Sequence, residues 1–353
     1  MFMRDVFRGR RAREDGASRA SRAAWRQPLL VALLAAAAPA AAAAEDIRLG
    51  LPIDCRPGRD CWVVNYVDHD PGPGRRDYRC GVMTYDAHEG TDIAIPDLKA
   101  MAAGVPVLAA AAGVVRAVRD EMPDVSMRDV PPEAIANRNC GNAVVIDHTD
   151  GWQTTYCHMR RGSVRVKPKD QIAAGQPIGM VGLSGKTEFP HIHLTVRRNR
   201  QTIDPFLGTA GGESCAIGRA PLWEPAALAA LEYRPGAIHI AGIAGDRPDF
   251  AKARAGELAR DTLPADSPAL VLWTEIYNVV TGDALRMRLL DPAGRLVAEM
   301  DQKIEKDQAR IFRSTGKRRP GDRWPAGSYT GEIVYLRNGK AVGEPMRTEV
   351  KVR

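Results

Sequence analysis

The run Pro190-His191-Ile192-His193-Leu194 constrains this chain more than any other stretch. Side chains alternate across a strand, so a strand over 191–196 sends His191 and His193 to one face and Ile192 and Leu194 to the other. The apolar face needs a core beneath it. The opposite face then carries two imidazoles, from only seven histidines in 353 residues. A second run, His88-Glu89-Gly90-Thr91-Asp92, sets a histidine and a carboxylate four apart. Gly90 and Thr91 disfavour a helix, and a turn at Gly90 is expected to bring His88 and Asp92 around one point. Two imidazoles and a carboxylate are the donor set of a catalytic zinc, which keeps its fourth position for water. His158, at the end of a strand expected over 153–157, offers a further imidazole. Alone, a His-x-His pair is more often an exposed strand feature than a metal site; its coincidence with the second run gives it weight.

The first 44 residues read as targeting. Eight of the 50 Lys/Arg and three of the 43 Asp/Glu fall there, which accounts for +5 of the formal net charge of +7. No dense basic run follows, so the chain is not expected to bind nucleic acid. An Arg-rich segment, an apolar stretch over 29–38 and small residues before Glu45 form a cleavable signal peptide over 1–44. The apolar stretch fades into alanine and is marginal against the roughly 20 residues that span a bilayer. No stable membrane span is therefore expected after cleavage. Cys55, Cys61, Cys80, Cys140, Cys157 and Cys215 all lie beyond it. An even set in an exported chain reads as disulfides, placing the protein in the periplasm or outside the cell. There is no C-x-x-C pair, which argues against a structural zinc ribbon. Cys140 and Cys157 flank an expected hairpin and suggest one pair; the full pairing stays open.

At 44% hydrophobic and 26% charged, the chain is globular, and its length calls for two domains. The pattern is mainly β. A loop-rich, disulfide-tied N-terminal segment over 45–84 precedes a domain of short strands and glycine corners over 85–233. Strands are expected over 105–110 and 113–118 with Gly113 at the bend between them. Others fall over 143–147 and 153–156, joined by His148-Thr149-Asp150-Gly151, where Asp-Gly is a hairpin signal. Helical turns are expected over 97–101 and 131–136, with short helices over 223–233 and 248–260. Arg234-Pro235-Gly236 makes a linker. Beyond it, strands over 269–277, 284–290, 296–300, 309–314, 328–337 and 346–352 suit an immunoglobulin-like β-sandwich over 237–353. Its aromatics (Trp273, Tyr277, Phe312, Trp324, Tyr329, Tyr335) read as core and turn residues. His239 has no evident partner and receives no role.

Further matches lie between the two histidine runs: Gly104-Val105-Pro106-Val107-Leu108-Ala109 with Gly113-Val114-Val115, then Gly141-Asn142-Ala143-Val144-Val145-Ile146-Asp147-His148 leading to Tyr156-Cys157-His158-Met159, then Ser184-Gly185 and Ile203-Asp204-Pro205. In this order, over roughly 85–205, they resemble the lysostaphin-like (LytM-type) zinc metalloendopeptidases, which cut peptide bonds in bacterial peptidoglycan. The resemblance implies a β barrel-sandwich hybrid (duplicated hybrid motif) that binds one Zn2+ per chain through His88, Asp92 and His193. It implies that His158 and His191 are catalytic, flanking the zinc-bound water and the scissile carbonyl; which of them is the base stays open. Peptidoglycan is the implied substrate, and a regulatory protein acting through the C-terminal domain is expected by analogy alone.

One departure from the family pattern is Phe189, where a glycine is usual before Pro-His-x-His. Inactive relatives lose metal ligands; this chain keeps all of them. The rival readings are a non-catalytic wall-binding or amidase-activating module of the same fold, a metallopeptidase acting on proteins, and a lipoyl-type carrier modified at Lys186, which would leave the histidines unexplained. His148 reads as a turn residue and Glu89 as pointing away from the site. The stretch Asn65-Tyr66-Val67-Asp68-His69-Asp70 reads as a polar surface loop. In some relatives a preceding segment blocks zinc, so Asn65, His69 and Asp70 are the residues through which a latent form would act.

Overall fold

The computed structural model describes residues 46–211 and 215–353; the signal peptide expected over 1–44 lies outside the described residues. The chain is mainly β. Its first half contains β1 (Trp62–Asn65), β2 (Thr91–Ala94), β3 (Pro106–Leu108), β4 (Gly113–Arg119), β5 (Asn142–Asp147), β6 (Trp152–Met159), β7 (Gln171–Ile172), β8 (Pro177–Met180), β9 (His191–Arg198) and β10 (Gln201–Thr202). The main sheet runs β1-β2-β9-β6-β5-β4-β7, with β10 folded onto β9; β3 and β8 form a separate pair. The 45–84 segment thus supplies an edge strand, and its Tyr66, Tyr78 and Met83 are buried in the same core as Ile192 and Leu194.

The expected β5–β6 hairpin is present, with Asp147 opposite Gln153. At its tip Asp150 and Gly151 both take left-handed φ values, 55° and 75°, which suits an Asp-Gly turn. The segments over 105–110 and 113–118 do not pair with each other as expected. Instead β3 pairs with β8, and β4 pairs with β5 and β7. Between them Ala109, Ala110 and Ala111 are buried, and the Ala110 amide donates to the Tyr156 hydroxyl at 2.7 Å. Alanines are small enough to carry the chain from one sheet to the other through a close-packed core.

The helices are short. They are α1 (Leu98–Ala103), α2 (Pro132–Ile135), α3 (Pro225–Ala230) and α4 (Phe250–Ala255). The Asp97 carboxylate accepts from the Ala100 amide at 2.8 Å and caps α1. The helix expected over 248–260 begins at an Asp249 cap and stops before Gly256, which takes the left-handed conformation (φ 77°) that ends helices.

The second half comprises β11 (Ala237–Ala244), β12 (Thr262–Leu263), β13 (Ala269–Val279), β14 (Ala284–Leu290), β15 (Leu296–Lys303), β16 (Gln308–Arg318), β17 (Gly327–Arg337), β18 (Lys340–Ala341) and β19 (Met346–Val352). They form two sheets, β11-β13-β16 and β12-β19-β17-β14-β15, with β18 on β17. Strand β11 was not expected from the sequence. Buried residues alternate with exposed ones along β14 and with half-buried ones along β17, as in strands with one face on a core. Leu270, Leu272 and Ile276 of one sheet share that core with Leu285, Met287 and Ile333 of the other.

Strand β13 is buried on both faces. Its second face carries Trp273, Glu275 and Tyr277. Trp273 packs with Ala244 and Ala253. Tyr277 joins Trp62, Val64 and Ala94 of the first half, with Phe189 against them. Tyr277 is therefore not part of the core shared by the two sheets of the second half but of the contact between the two halves. Three disulfides close the covalent frame: Cys55–Cys61, Cys80–Cys215 and the suggested Cys140–Cys157.

Candidate active site

Antiparallel register places the site. Strand β2 pairs with β9 so that Asp92 lies opposite His193 and Ala94 opposite His191. Directly opposed residues share a face, so the carboxylate meets the two imidazoles on the side away from buried Ile192 and Leu194. His88 enters from the loop before β2. Its approach depends on Gly90, by a route different from the expected turn. A Cβ at Gly90 would sit 2.6 Å from two atoms of the His193 ring and 2.7 Å from the Leu194 carbonyl oxygen. Gly90 is needed for space, while the left-handed turn falls on Ala87 (φ 59°).

Three donor atoms converge. His88 Nε2 is 3.2 Å and His193 Nδ1 2.8 Å from Asp92 Oδ1, and the two nitrogens are 3.1 Å apart. His88 Nδ1 lies 2.6 Å from the Tyr66 carbonyl oxygen. A carbonyl only accepts, so Nδ1 carries the proton and the Nε2 lone pair of the neutral ring faces the carboxylate. The Thr195 hydroxyl, 2.9 Å from His193 Nε2, can accept from that nitrogen and leave the Nδ1 lone pair to the same point. The second Asp92 oxygen accepts from Asn65 Nδ2 at 2.9 Å. Lone pairs packed this closely repel one another unless a cation lies among them. His88, Asp92 and His193 can hold a metal ion, and two imidazoles with a carboxylate match the donor preference of zinc.

The electrostatics agree. Burial pushes the Asp92 carboxyl up, but the charges of His88 and His191 and hydrogen bonds from His193 and His88 outweigh it and hold Asp92 well below the usual carboxylate range. Burial also disfavours a charged His88, yet the Asp92 charge and hydrogen bond raise its pKa above the ordinary value. Without a metal, a proton is drawn to the place where a cation is wanted.

His158 reaches the site through an irregularity. Val144 pairs with Tyr156 and Asn142 with Met159, so β6 carries one residue more than β5 between these pairs. This is a β-bulge, and His158 within it has φ 61°. Regular alternation after core-facing Tyr156 and site-facing Cys157, which sits opposite His193, would turn His158 into the core. The bulge re-aims it: its ring centre lies 4.6 Å from that of His191 and 6.0 Å from that of His193. A left-handed φ on a non-glycine residue is locally strained, and such strain is concentrated at functional sites.

His158 Nδ1 donates to the Ser184 carbonyl at 2.8 Å, and His191 Nδ1 donates to the Phe189 carbonyl at 3.0 Å, with Thr187 Oγ1 at 3.1 Å. Each ring therefore presents a bare Nε2; that of His191 is 3.6 Å from Asp92 Oδ1. Burial, then repulsion from His191 and His193, depresses the pKa of His158 strongly. Burial lowers that of His191 as well. Both are neutral proton acceptors at pH 7.

A cleft of about 750 Å³ opens over these groups. Asp92, His158 and His191 line it, and so do Tyr277, Lys306 and Arg310 from the second half of the chain, which the sequence reading left without a functional role. Of the three residues considered for a latent form, only Asn65 reaches the donor set. His69 Nε2 lies 2.7 Å from Asp204 Oδ2, and Asp70 accepts from the Gly72 amide. Glu89 turns outward to Arg197, 2.7 Å away, and His148 donates to the Ala112 carbonyl beside its turn. His239 does have partners: Glu275 Oε2 at 3.0 Å and the Ile95 carbonyl at 3.2 Å. A single histidine in the apolar run Ala237–Ala244 and a single glutamate in Ala269–Val279 were the available sequence signals.

Residues 86–205 match the family model described as peptidase family M23. This stretch belongs to that family. Among curated relatives, the cell division protein DipM of Caulobacter vibrioides is 28% identical over 130 residues, 35% of this chain and 18% of DipM. The DD-carboxypeptidase/endopeptidase Mpg of Neisseria meningitidis is 31% identical over 124 residues, 35% of this chain and 23% of Mpg. The peptidoglycan DD-endopeptidase ShyA of Vibrio cholerae is 33% identical over 106 residues, 30% of this chain and 19% of ShyA. The chain thus spans less than a quarter of the length of each of these relatives.

Proposed function

We propose that this chain is an exported, zinc-dependent endopeptidase that hydrolyses peptide bonds in peptidoglycan stem peptides or cross-bridges. The observation that carries this reading is the convergence of His88 Nε2, Asp92 Oδ1 and His193 Nδ1 beside two neutral imidazoles at the floor of a cleft. Membership of the M23 family and the DD-endopeptidase relatives support it. The reading assigns 1–44 to a signal peptide, 45–84 to a disulfide-tied segment, 85–233 to the peptidase and 237–353 to an immunoglobulin-like sandwich, with a periplasmic or secreted location.

Zinc held by His88, Asp92 and His193 supplies Lewis-acid chemistry: it polarises a carbonyl oxygen and acidifies water. This chain's own residues manage the protons. His158 and His191 each offer an unprotonated Nε2, oriented by an Nδ1–H bond to a backbone carbonyl. One takes the proton of the attacking water and returns it to the leaving amine; the other, through its bare Nε2, accepts a hydrogen bond from the water's second O–H and orients it for attack. Asn65 fixes the carboxylate by donating to Asp92 Oδ2. Among the residues lining the cleft, the cations Arg75, Arg128, Lys186, Lys306 and Arg310 outnumber the carboxylates Asp92, Glu188 and Asp307, which suits stem peptides with free carboxylates.

The test is incubation of the 45–353 protein with isolated peptidoglycan, with released fragments identified by mass spectrometry and His193→Ala as control. Loss of cross-linked muropeptides with the native protein alone is expected. No release from a zinc-loaded native protein would favour the wall-binding or activating module instead.

A further inference from the structure

The loop that orients His191 is held from within the M23 stretch, where Arg128 lies 2.9 Å from the Glu188 carboxylate and the Met127 amide donates to the Thr187 carbonyl at 2.8 Å, and from outside it as well. His191 takes its orientation from the Phe189 carbonyl and Thr187 Oγ1, and the Phe189 ring lies 4.8 Å from the His191 ring. Glu188 and Phe189 are gripped in turn by the second half of the chain. Arg254, from α4, donates to the Glu188 carbonyl. Arg310, from β16, reaches the Glu188 carboxylate at 3.4 Å and sets its guanidinium 5.7 Å from the Phe189 ring centre. Tyr277 also packs against Phe189, ring centres 5.6 Å apart and planes tilted by 48°.

Arg310 is itself fixed. Its Nε lies 3.2 Å from Glu275 Oε1, while Glu275 Oε2 engages His239, whose other ring nitrogen meets the Ile95 carbonyl three residues after Asp92. The buried carboxylate therefore links Arg310, which holds the loop before His191, to the residue that follows the strand carrying Asp92. Phe189, the departure from the family's usual glycine, is the residue that receives this contact. A planar guanidinium can satisfy two carboxylates and cover an aromatic face at once, which an ammonium cannot.

We propose that Arg310 and Arg254 are positioning residues for His191: they clamp Glu188 and Phe189, so the second half of the chain completes the catalytic site. The proposal rests on the reading of His191 as catalytic. The test uses Arg310→Met, Arg254→Met and Arg310→Lys in the 45–353 protein. It follows kcat and KM on a cross-linked muropeptide, zinc content, and amide hydrogen exchange over 187–191 against β5.

Arg310→Met is expected to lower kcat at least tenfold with KM within about twofold, to keep one zinc per chain, and to raise exchange over 187–191 but not in β5. Arg310→Lys should restore part of the lost kcat. Arg254→Met removes the hydrogen bond to the Glu188 carbonyl, together with the cation–π contact over Phe250, and provides the test should Arg310→Met fail to fold. Unchanged kcat, or unchanged exchange over 187–191, in a folded variant overturns the proposal. If the native protein hydrolyses nothing, the peptidase reading falls, while the exchange data still show whether the arginines hold the loop.

Discussion

Replacing Gly90 with alanine isolates the geometry of the donor set. The new Cβ would stand 2.6 Å from Cε1 and Nε2 of His193, whereas ordinary contact begins at 3.4 Å, so the ring must retreat by about 0.8 Å. The Leu194 carbonyl, 2.7 Å from the same position, belongs to a β9 residue paired with Thr91 and has little room to yield. Metal–ligand distances tolerate only about 0.2 Å. Even the mutation of a residue that merely supports a ligand typically costs 10–100-fold in metal affinity, so a displaced ligand should weaken zinc binding by at least about tenfold. Crowding should also cost roughly 1–3 kcal/mol of stability. Gly321→Ala is the matched control, because no heavy atom lies within 4 Å of its Cβ position. The assay is zinc titration against a competing chelator, with thermal unfolding of the metal-free forms alongside. If G90A bound zinc within twofold of the native protein, the argument that Gly90 makes room for His193 would fail.

His158→Ala should retain zinc yet lose about 10²–10⁴ in kcat, the range of a lost proton-transfer group; loss of metal with activity would instead make His158 a ligand. Because burial depresses His158 and His191, their neutral forms persist below the ordinary histidine value, and the acid limb of the kcat profile should lie below about pH 6.5. The same shift has a stability sign. As pH falls through about 6.5 the unfolded chain binds protons that folded His158 refuses, so the contribution of this group to native stability declines there, against the opposite contribution of His88, whose pKa is raised; His158→Ala should remove the declining part in denaturant titrations. The Cys140–Cys157 bridge closes a separation of 17 residues and anchors the bulge, where the His158 amide donates to the Cys140 carbonyl at 2.8 Å. Replacing both cysteines with alanine should lower unfolding stability by about 3 kcal/mol, and a loss below about 1 kcal/mol would show that the bridge does not constrain the unfolded chain.

Local rules made much of this molecule legible. The alternation in His191–Arg198 placed two imidazoles opposite an apolar face, and Asp150-Gly151 marked the β5–β6 turn. What escaped was set by tertiary structure. No local pattern announces the extra residue that turns His158 toward the site, because bulges depend on register with a neighbouring strand. The two alanine- and valine-rich segments looked like one hairpin because adjacency in sequence suggested pairing, whereas their buried alanines cross between sheets. Residues such as Arg310, Glu275 and His239 appear ordinary one at a time. Their meaning arises only when Ile95, Glu188 and Phe189 are brought beside them from elsewhere in the chain.

The most direct test is anomalous diffraction at the zinc edge from crystals of the 45–353 protein grown with zinc. The account predicts a single strong peak bonded to His88 Nε2, Asp92 Oδ1 and His193 Nδ1 at about 2.0–2.2 Å, with His158 and His191 nearby but not bonded. A peak ligated by His158 or His191, or no peak among these three atoms, would contradict it.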